Sequence, residues 1–188
     1  MGPPRVQAEA PLPTETSGGL RLVRPEEAPL GFDDFFRRYH RLVAAIGLRM
    51  LGRPSDVDDF VQDVFLEAHR GYAKIREPGA AKGWLRAIAV RVAIRRLRRR
   101  RLAAALGLDR PDPLETSPYA ANQEQVVLLQ QIYRALEHLP AKARVVWVLR
   151  VIEGEKLEDI ATITGMGLSS VKRQLNTATE GLEGVLRE

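Results

Sequence analysis

Seven of the eleven residues from Arg91 to Arg101 are arginine, and no acidic residue stands within that run to pair with them one helical turn away. A guanidinium is always charged and presents a planar fork of donors that matches the oxygens of phosphate or carboxylate. The chemistry on offer is therefore the binding of a polyanion. A cationic helix end left in water, favoured by the helix dipole, is the plainer alternative. The run closes a longer stretch, WLRAIAVRVAIRRLRRRR from Trp84 to Arg101, in which Leu85, Ile88, Ala89 and Val92 recur at three- and four-residue steps. That spacing predicts a helix with one side in a core, anchored by Trp84, and the other side charged.

Other chemistries find little support. The chain has no cysteine, which excludes disulfides, thiolate zinc sites and cysteine catalysis, and which suits a reducing cytosol. Asp56, Asp58, Asp59 and Asp63 are the one cluster that resembles a divalent-metal site. Helical spacing puts only Asp59 and Asp63 on a common face, and no histidine lies near them in sequence. His40, His69 and His138 fall on three separate predicted helices and suit packing or surface roles. No catalytic residue, metal or cofactor is expected. No apolar run approaches the roughly 20 residues that cross a bilayer, and no basic-then-apolar leader opens the chain, so a soluble cytoplasmic protein without membrane insertion is expected.

Charge is unevenly placed. The net +5 hides seventeen basic against eight acidic residues in 31–102, whereas 1–30, 103–122 and 123–188 are each slightly acidic. The polyanion-binding field belongs to one segment of the chain.

The elements that must carry this field follow from periodicity and breakers. Residues 1–30, rich in proline and poor in periodic apolar content, predict a disordered tail. Phe32, Phe35, Phe36, Tyr39, Leu42, Val43, Ile46 and Met50 predict a first core helix, stopped by Gly52 and Pro54. A second follows, with Ser55 and Asp58 spaced for a capping box and Val57, Phe60, Val61, Val64 and Ala68 as its buried stripe. A different face of that helix carries Asp59, Gln62, Asp63 and Leu66. A basic protein partner would explain the mixture, although acids also favour early turns and a lone surface leucine is common. Tyr72–Gly83 predicts a basic loop, where Tyr72 is the only aromatic available for stacking a single-stranded base. Residues 103–122, with three prolines among acids, predict a flexible linker.

Beyond the linker, Val126, Leu129, Ile132, Tyr133 and Leu136 mark a helix, and Pro140 starts another that ends at Gly154. The following LEDIATITGMGLSSVKRQL, Leu157–Leu175, has a small Ala161 where two helices cross, Gly165 at a tight turn and Val171 to plug the second helix. Ile160, Leu168 and Leu175 are expected to be buried. Ser169, Ser170, Lys172, Arg173 and Asn176 are expected to face outward, as on the recognition helix of a helix-turn-helix that enters a major groove. An ordinary helical hairpin is the alternative. The fold class is thus all-α: two small helical domains joined by a flexible linker, the second with a helix-turn-helix.

Taken together, DVDDFVQDVFLEAHR at Asp56–Arg70, the arginine helix, and LPAKARVVWVLRVIEGEKLEDIATITGMGLSSVKRQL at Leu139–Leu175 resemble bacterial sigma factors of the extracytoplasmic-function group. The resemblance implies a region-two domain at 31–102, a linker at 103–122 and a region-four domain at 123–188. It implies that Asp59, Gln62, Asp63 and Leu66 dock on the β′ coiled coil of core RNA polymerase, whose β subunit is a further partner. Arg76, Lys82, Arg86, Arg91, Arg95, Arg98 and Arg99 would bind promoter DNA at the minus-ten element and hold the melted strand. Ser169, Ser170, Lys172, Arg173 and Asn176 would read the minus-thirty-five element. An anti-sigma factor is a common partner in that family.

Arg91 and Arg95 stand where the family usually has an asparagine and an aspartate, and Gln174, Thr177 and Thr179 occupy positions that are often basic. A stand-alone helix-turn-helix regulator is the rival reading: it would bind duplex unaided, whereas a sigma factor needs core polymerase.

Overall fold

The structure is a computed structural model and describes residues 31–73, 75, 78–108 and 131–187. Among these residues the chain is helical, with no strand. The helices are α1 (Phe32–Leu51), α2 (Val57–Tyr72), α3 (Ala81–Ala105), α4 (131–137), α5 (Ala141–Trp147, running on into a π turn at Val148–Ile152), α6 (Leu157–Thr164) and α7 (Leu168–Arg187). The expected tail, most of the expected linker and Arg76 lie outside the described residues.

α1, α2 and α3 form a first module because each offers an apolar stripe at helical spacing. Phe35, Val43, Ile46 and Met50 of α1 meet Phe60, Val64 and Phe65 of α2 and Leu85 and Ile88 of α3, all buried. Gly47 lets α1 and α2 close in, since a Cβ there would stand 2.5 Å from the Phe60 ring. Tyr72 packs on Phe32 and Phe35, with ring centroids 5.4 and 4.8 Å away. It therefore belongs to this aromatic cluster and is not a loop-edge stacking platform.

Several expectations need correction. Phe36 is exposed and Val57 only half-buried, while Phe65 takes a core place that the assigned stripe left out. The capping box does not form: Pro54–Asp56 winds into a 3-10 turn, and no side chain caps α2. α3 begins at Ala81, inside the expected loop, and ends at Ala105, inside the expected linker. The largest difference concerns its apolar content. Val90, Ala93 and Leu97 are buried together with Leu85, Ile88, Ala89 and Val92, so the middle of α3 is covered on two sides.

The second cover is the module built from α4 to α7. Its core holds Leu136, Leu139, Val145, Val146, Leu149, Ile160, Val171, Ala178 and Leu182. Leu168, expected inside, is 37% exposed at the first position of α7. α5 and α6 both pack on α3, which joins the two modules. Gly52 sits at this junction. It ends α1 in the left-handed region at φ 72°, donates its N–H to Leu48 O at 2.8 Å, and leaves room for Tyr133, whose Cδ1 would lie 2.5 Å from any added Cβ. Gly52→Ala meets both the left-handed penalty and the overlap with Tyr133, so urea unfolding should show a loss of about 2 kcal/mol or more.

Candidate nucleic-acid interface

The arginines of α3 have tertiary partners that their own helix does not supply. α2 runs alongside and lends its carboxylates, Glu67 to Arg95 at 3.0 Å and Arg91 at 3.6 Å and Asp63 to Arg96 at 2.9 and 2.7 Å, while Asp56 of the preceding 3-10 turn holds Arg100. The expectation of a wholly unneutralised run is corrected to that extent. Arg98, Arg99 and Arg101 remain exposed and form no ion pair among the described residues. Arg91 and Arg95 share a single carboxylate with about half of each side chain in water. Pairs that exposed contribute little, so both can exchange Glu67 for a phosphate.

Arg91, Arg95, Arg98 and Arg99 line a groove of about 460 Å³ together with Ile94 and Lys142. Lys142 comes from α5, about 40 positions along the chain, and no periodicity in the sequence could have joined it to this groove. Lys82 is exposed in the first turn of α3. Arg86, grouped with the DNA-facing arginines on sequence grounds, is placed differently. It is only 20% exposed and is held by Glu155 and, at 3.6 Å, by Glu153 of the second module. Glu153 also binds Arg49 of α1 at 2.5 Å. The segment Glu153–Gly154–Glu155 follows the π turn and presents two carboxylates to the first module, a signal visible in the sequence only as a pair of acids around a glycine.

On α2, Asp59, Gln62 and Leu66 are exposed, Leu66 by 57%, while Asp63 is half-buried against Arg96. Three of the four residues assigned to a docking face are therefore open on one side of the helix. The four aspartates do not converge, and no group of three acidic or histidine residues among those described is placed to hold a metal ion.

The helix-turn-helix is formed as its spacing requires. α6 ends at Gly165, φ 68°, and α7 begins three residues later. Ile160 and Val171 are fully buried and Ala161 is half-buried at the crossing. Ser169, Lys172, Arg173 and Asn176 are exposed on α7, and Ser170 is half-buried. The hydroxyls of Thr177 and Thr179 donate back to Arg173 O and Leu175 O at 3.0 and 3.1 Å. Their protons are spent within the helix and are not offered to a phosphate.

No helix among the described residues is long and apolar enough to cross a membrane. Two family models match the chain: sigma-70 region 2 over residues 35–103 and sigma-70 region 4 over residues 129–178. The ECF RNA polymerase sigma factor SigM of Mycobacterium tuberculosis is 33% identical over 82% of this chain and 76% of its own length. The ECF RNA polymerase sigma-E factor of Escherichia coli is 29% identical over 78% of this chain and 81% of its own. Among solved structures, the fold is similar to the sigma factor RpoE in complex with the anti-sigma factor NepR from Bartonella quintana. That likeness has a TM-score of 0.60 and 21% identity, and covers 83% of this chain and 96% of that one. CnrH in complex with the cytosolic domain of CnrY gives a TM-score of 0.54 and 25% identity, covering 83% and 87%. The arginine-rich three-helix module and the helix-turn-helix module are thus regions 2 and 4, the rival reading as a stand-alone regulator is not favoured, and the chain belongs to the extracytoplasmic-function family of RNA polymerase sigma factors, which recognise promoters for transcription initiation.

Proposed function

We propose a division of roles among the residues described above. Lys82, Arg91, Arg95, Arg98 and Arg99 hold the minus-ten element and its opened strand; Arg76 and Arg86 belong to the same set. Ser169, Ser170, Lys172, Arg173 and Asn176 read the minus-thirty-five element. Asp59, Gln62, Asp63 and Leu66 dock on the β′ coiled coil of core polymerase, in the cytoplasm. The chain contributes binding energy to initiation and leaves bond-making to the polymerase. The groove shared by four arginines of α3 is the observation that carries this reading: it gathers positive charge on one helix, without base-specific chemistry.

The packed arrangement has a physical consequence for this role. The two promoter elements are centred about 25 base pairs apart, which at about 3.4 Å each is roughly 85 Å of duplex. Two modules of this size have radii of gyration of about 11 Å, so packed together they span only about 55 Å. They must separate to reach both elements. Residues 106–130 reach roughly 85 Å when extended, enough to allow it. Separation also frees Arg86 from Glu153 and Glu155.

Run-off transcription with purified core polymerase on a promoter library tests the reading, and RNA that depends on this chain is expected. Leu66→Asp places a carboxylate in the docking face. It should lower core binding at least tenfold by fluorescence titration while leaving thermal unfolding unchanged, because Leu66 supports nothing in the fold. A variant that binds core as well as the parent would remove Leu66 from the docking face.

A further inference from the structure

A groove that binds phosphates holds DNA of any sequence. Telling a minus-ten element from other DNA needs side chains that reach base edges, and α3 carries two, Val90 and Ile94, to which no role has fallen so far. The core of the first module lies against Leu85, Ile88, Ala89 and Val92. At about 100° of turn per residue, Val90 stands about 150° round the helix from the middle of that side, and Ile94 almost opposite it. Val90 follows Arg86 by one turn, on the side that Glu153 and Glu155 hold, and is fully buried. Ile94 is half-buried and lines the arginine groove beside Lys142 of the second module. Both therefore owe their cover to the packed second module, and separation uncovers them.

Two β-branched apolar side chains one turn apart then form a strip on the outward side of a basic helix. Arg86 borders the strip on one side, and Arg91 and Arg98 border it on the other. Phosphates held at both borders bring base edges over the strip between them. Valine and isoleucine neither donate nor accept a hydrogen bond, so a base edge that ends in a polar group loses water there and gains no partner. Thymine is the exception, because its C5 methyl is the one apolar group that a base edge presents in the major groove.

We propose that Val90 and Ile94 are specificity-determining residues that read thymine in the minus-ten element through its methyl group, and that they do so only after the two modules have separated. The inference rests on the minus-ten role of α3 proposed above and adds to it the chemistry that distinguishes one base from another. The packed arrangement conceals this strip together with Arg86.

Replacing thymine by uracil removes the methyl and keeps every hydrogen-bonding group, which isolates the contact. On a promoter selected by run-off transcription with core polymerase, each thymine of the minus-ten element, on either strand, is replaced in turn, and binding by the polymerase complex is measured. At least one replacement should weaken binding about fourfold, the value of one buried methyl group. Uracil outside the two promoter elements should change nothing. Val90→Ala with Ile94→Ala should bind the thymine and uracil promoters equally, with the slope of log affinity against log salt unchanged, because the phosphate contacts are untouched. Val90 is buried in the packed form, so thermal unfolding is followed alongside. Should the double variant fail to fold, Ile94→Ala alone, at a half-buried position, is expected to lessen the uracil effect. A selected element without thymine, a parent chain indifferent to every replacement, or a folded variant that still distinguishes uracil as the parent does would overturn the proposal. A chain that directs no RNA would instead remove the minus-ten role of α3, and the reading strip with it.

Discussion

Charge reversal at the junction, Glu153→Lys with Glu155→Lys, should open the chain. In the parent these carboxylates are 17% and 23% exposed and hold Arg86, itself 20% exposed, while Glu153 also holds Arg49. Breaking partly buried pairs of this kind costs about 3 kcal/mol, and each new lysine repels the arginine it replaces a partner for. The packed population should fall on the order of a hundredfold relative to the separated one. Small-angle scattering should show a larger radius of gyration, and the effect should persist at about 0.15 M salt because the pairs are partly shielded from solvent. Core-dependent transcription at limiting chain concentration should rise, since a ligand that needs the separated form no longer has to draw it from a minor population. Glu153→Gln with Glu155→Gln should open the chain less. An unchanged radius in the lysine variant would mean that apolar contacts along α3, and not these ion pairs, hold the modules together.

Arg98→Glu with Arg99→Glu should have the largest effect on DNA. Both side chains are exposed, line the cationic groove and pair with no carboxylate among the described residues, so their loss removes no contact that supports the fold. Each phosphate contact contributes close to one unit to the slope of log affinity against log salt. Removing two should flatten that slope by about two units. Replacing them with glutamates adds repulsion, and promoter binding by the polymerase complex should fall at least a hundredfold near physiological salt. Arg98→Gln with Arg99→Gln should flatten the slope equally with a smaller loss of affinity. Core binding, which uses another helix, should be unchanged in both. A parent-like slope would place the DNA elsewhere on the molecule.

Most of the helices were legible because their cause is local. Apolar side chains at three- and four-residue steps between Gly52, Gly154 and Gly165 can bury themselves in only one way, and these glycines, each with positive φ, mark where α1, the π turn after α5, and α6 stop. The helix-turn-helix was legible for the same reason, since Ile160, Ala161, Gly165 and Val171 answer the demands of one crossing. Where local reasoning failed, a competing partner lay far along the chain. The Ser55 and Asp58 box lost to a 3-10 turn whose Asp56 carboxylate binds Arg100, and Arg86 in the packed arrangement is held by Glu153 and Glu155 and does not stand open with the other arginines.

By itself the sequence determined that this chain is helical, that a cationic helix precedes a helix-turn-helix, and that the family is one of sigma factors, because periodicity, composition and residue order are properties of short segments. Tertiary structure alone decided that α3 is covered on two sides, that carboxylates of α2 and of the turn before it pair with four of its eight arginines, and that Lys142, Glu137 and Arg144 meet the first module. Those facts depend on which faces come together after the helices have formed, and side chains 40 to 100 residues apart leave no periodic trace of a contact made across a junction.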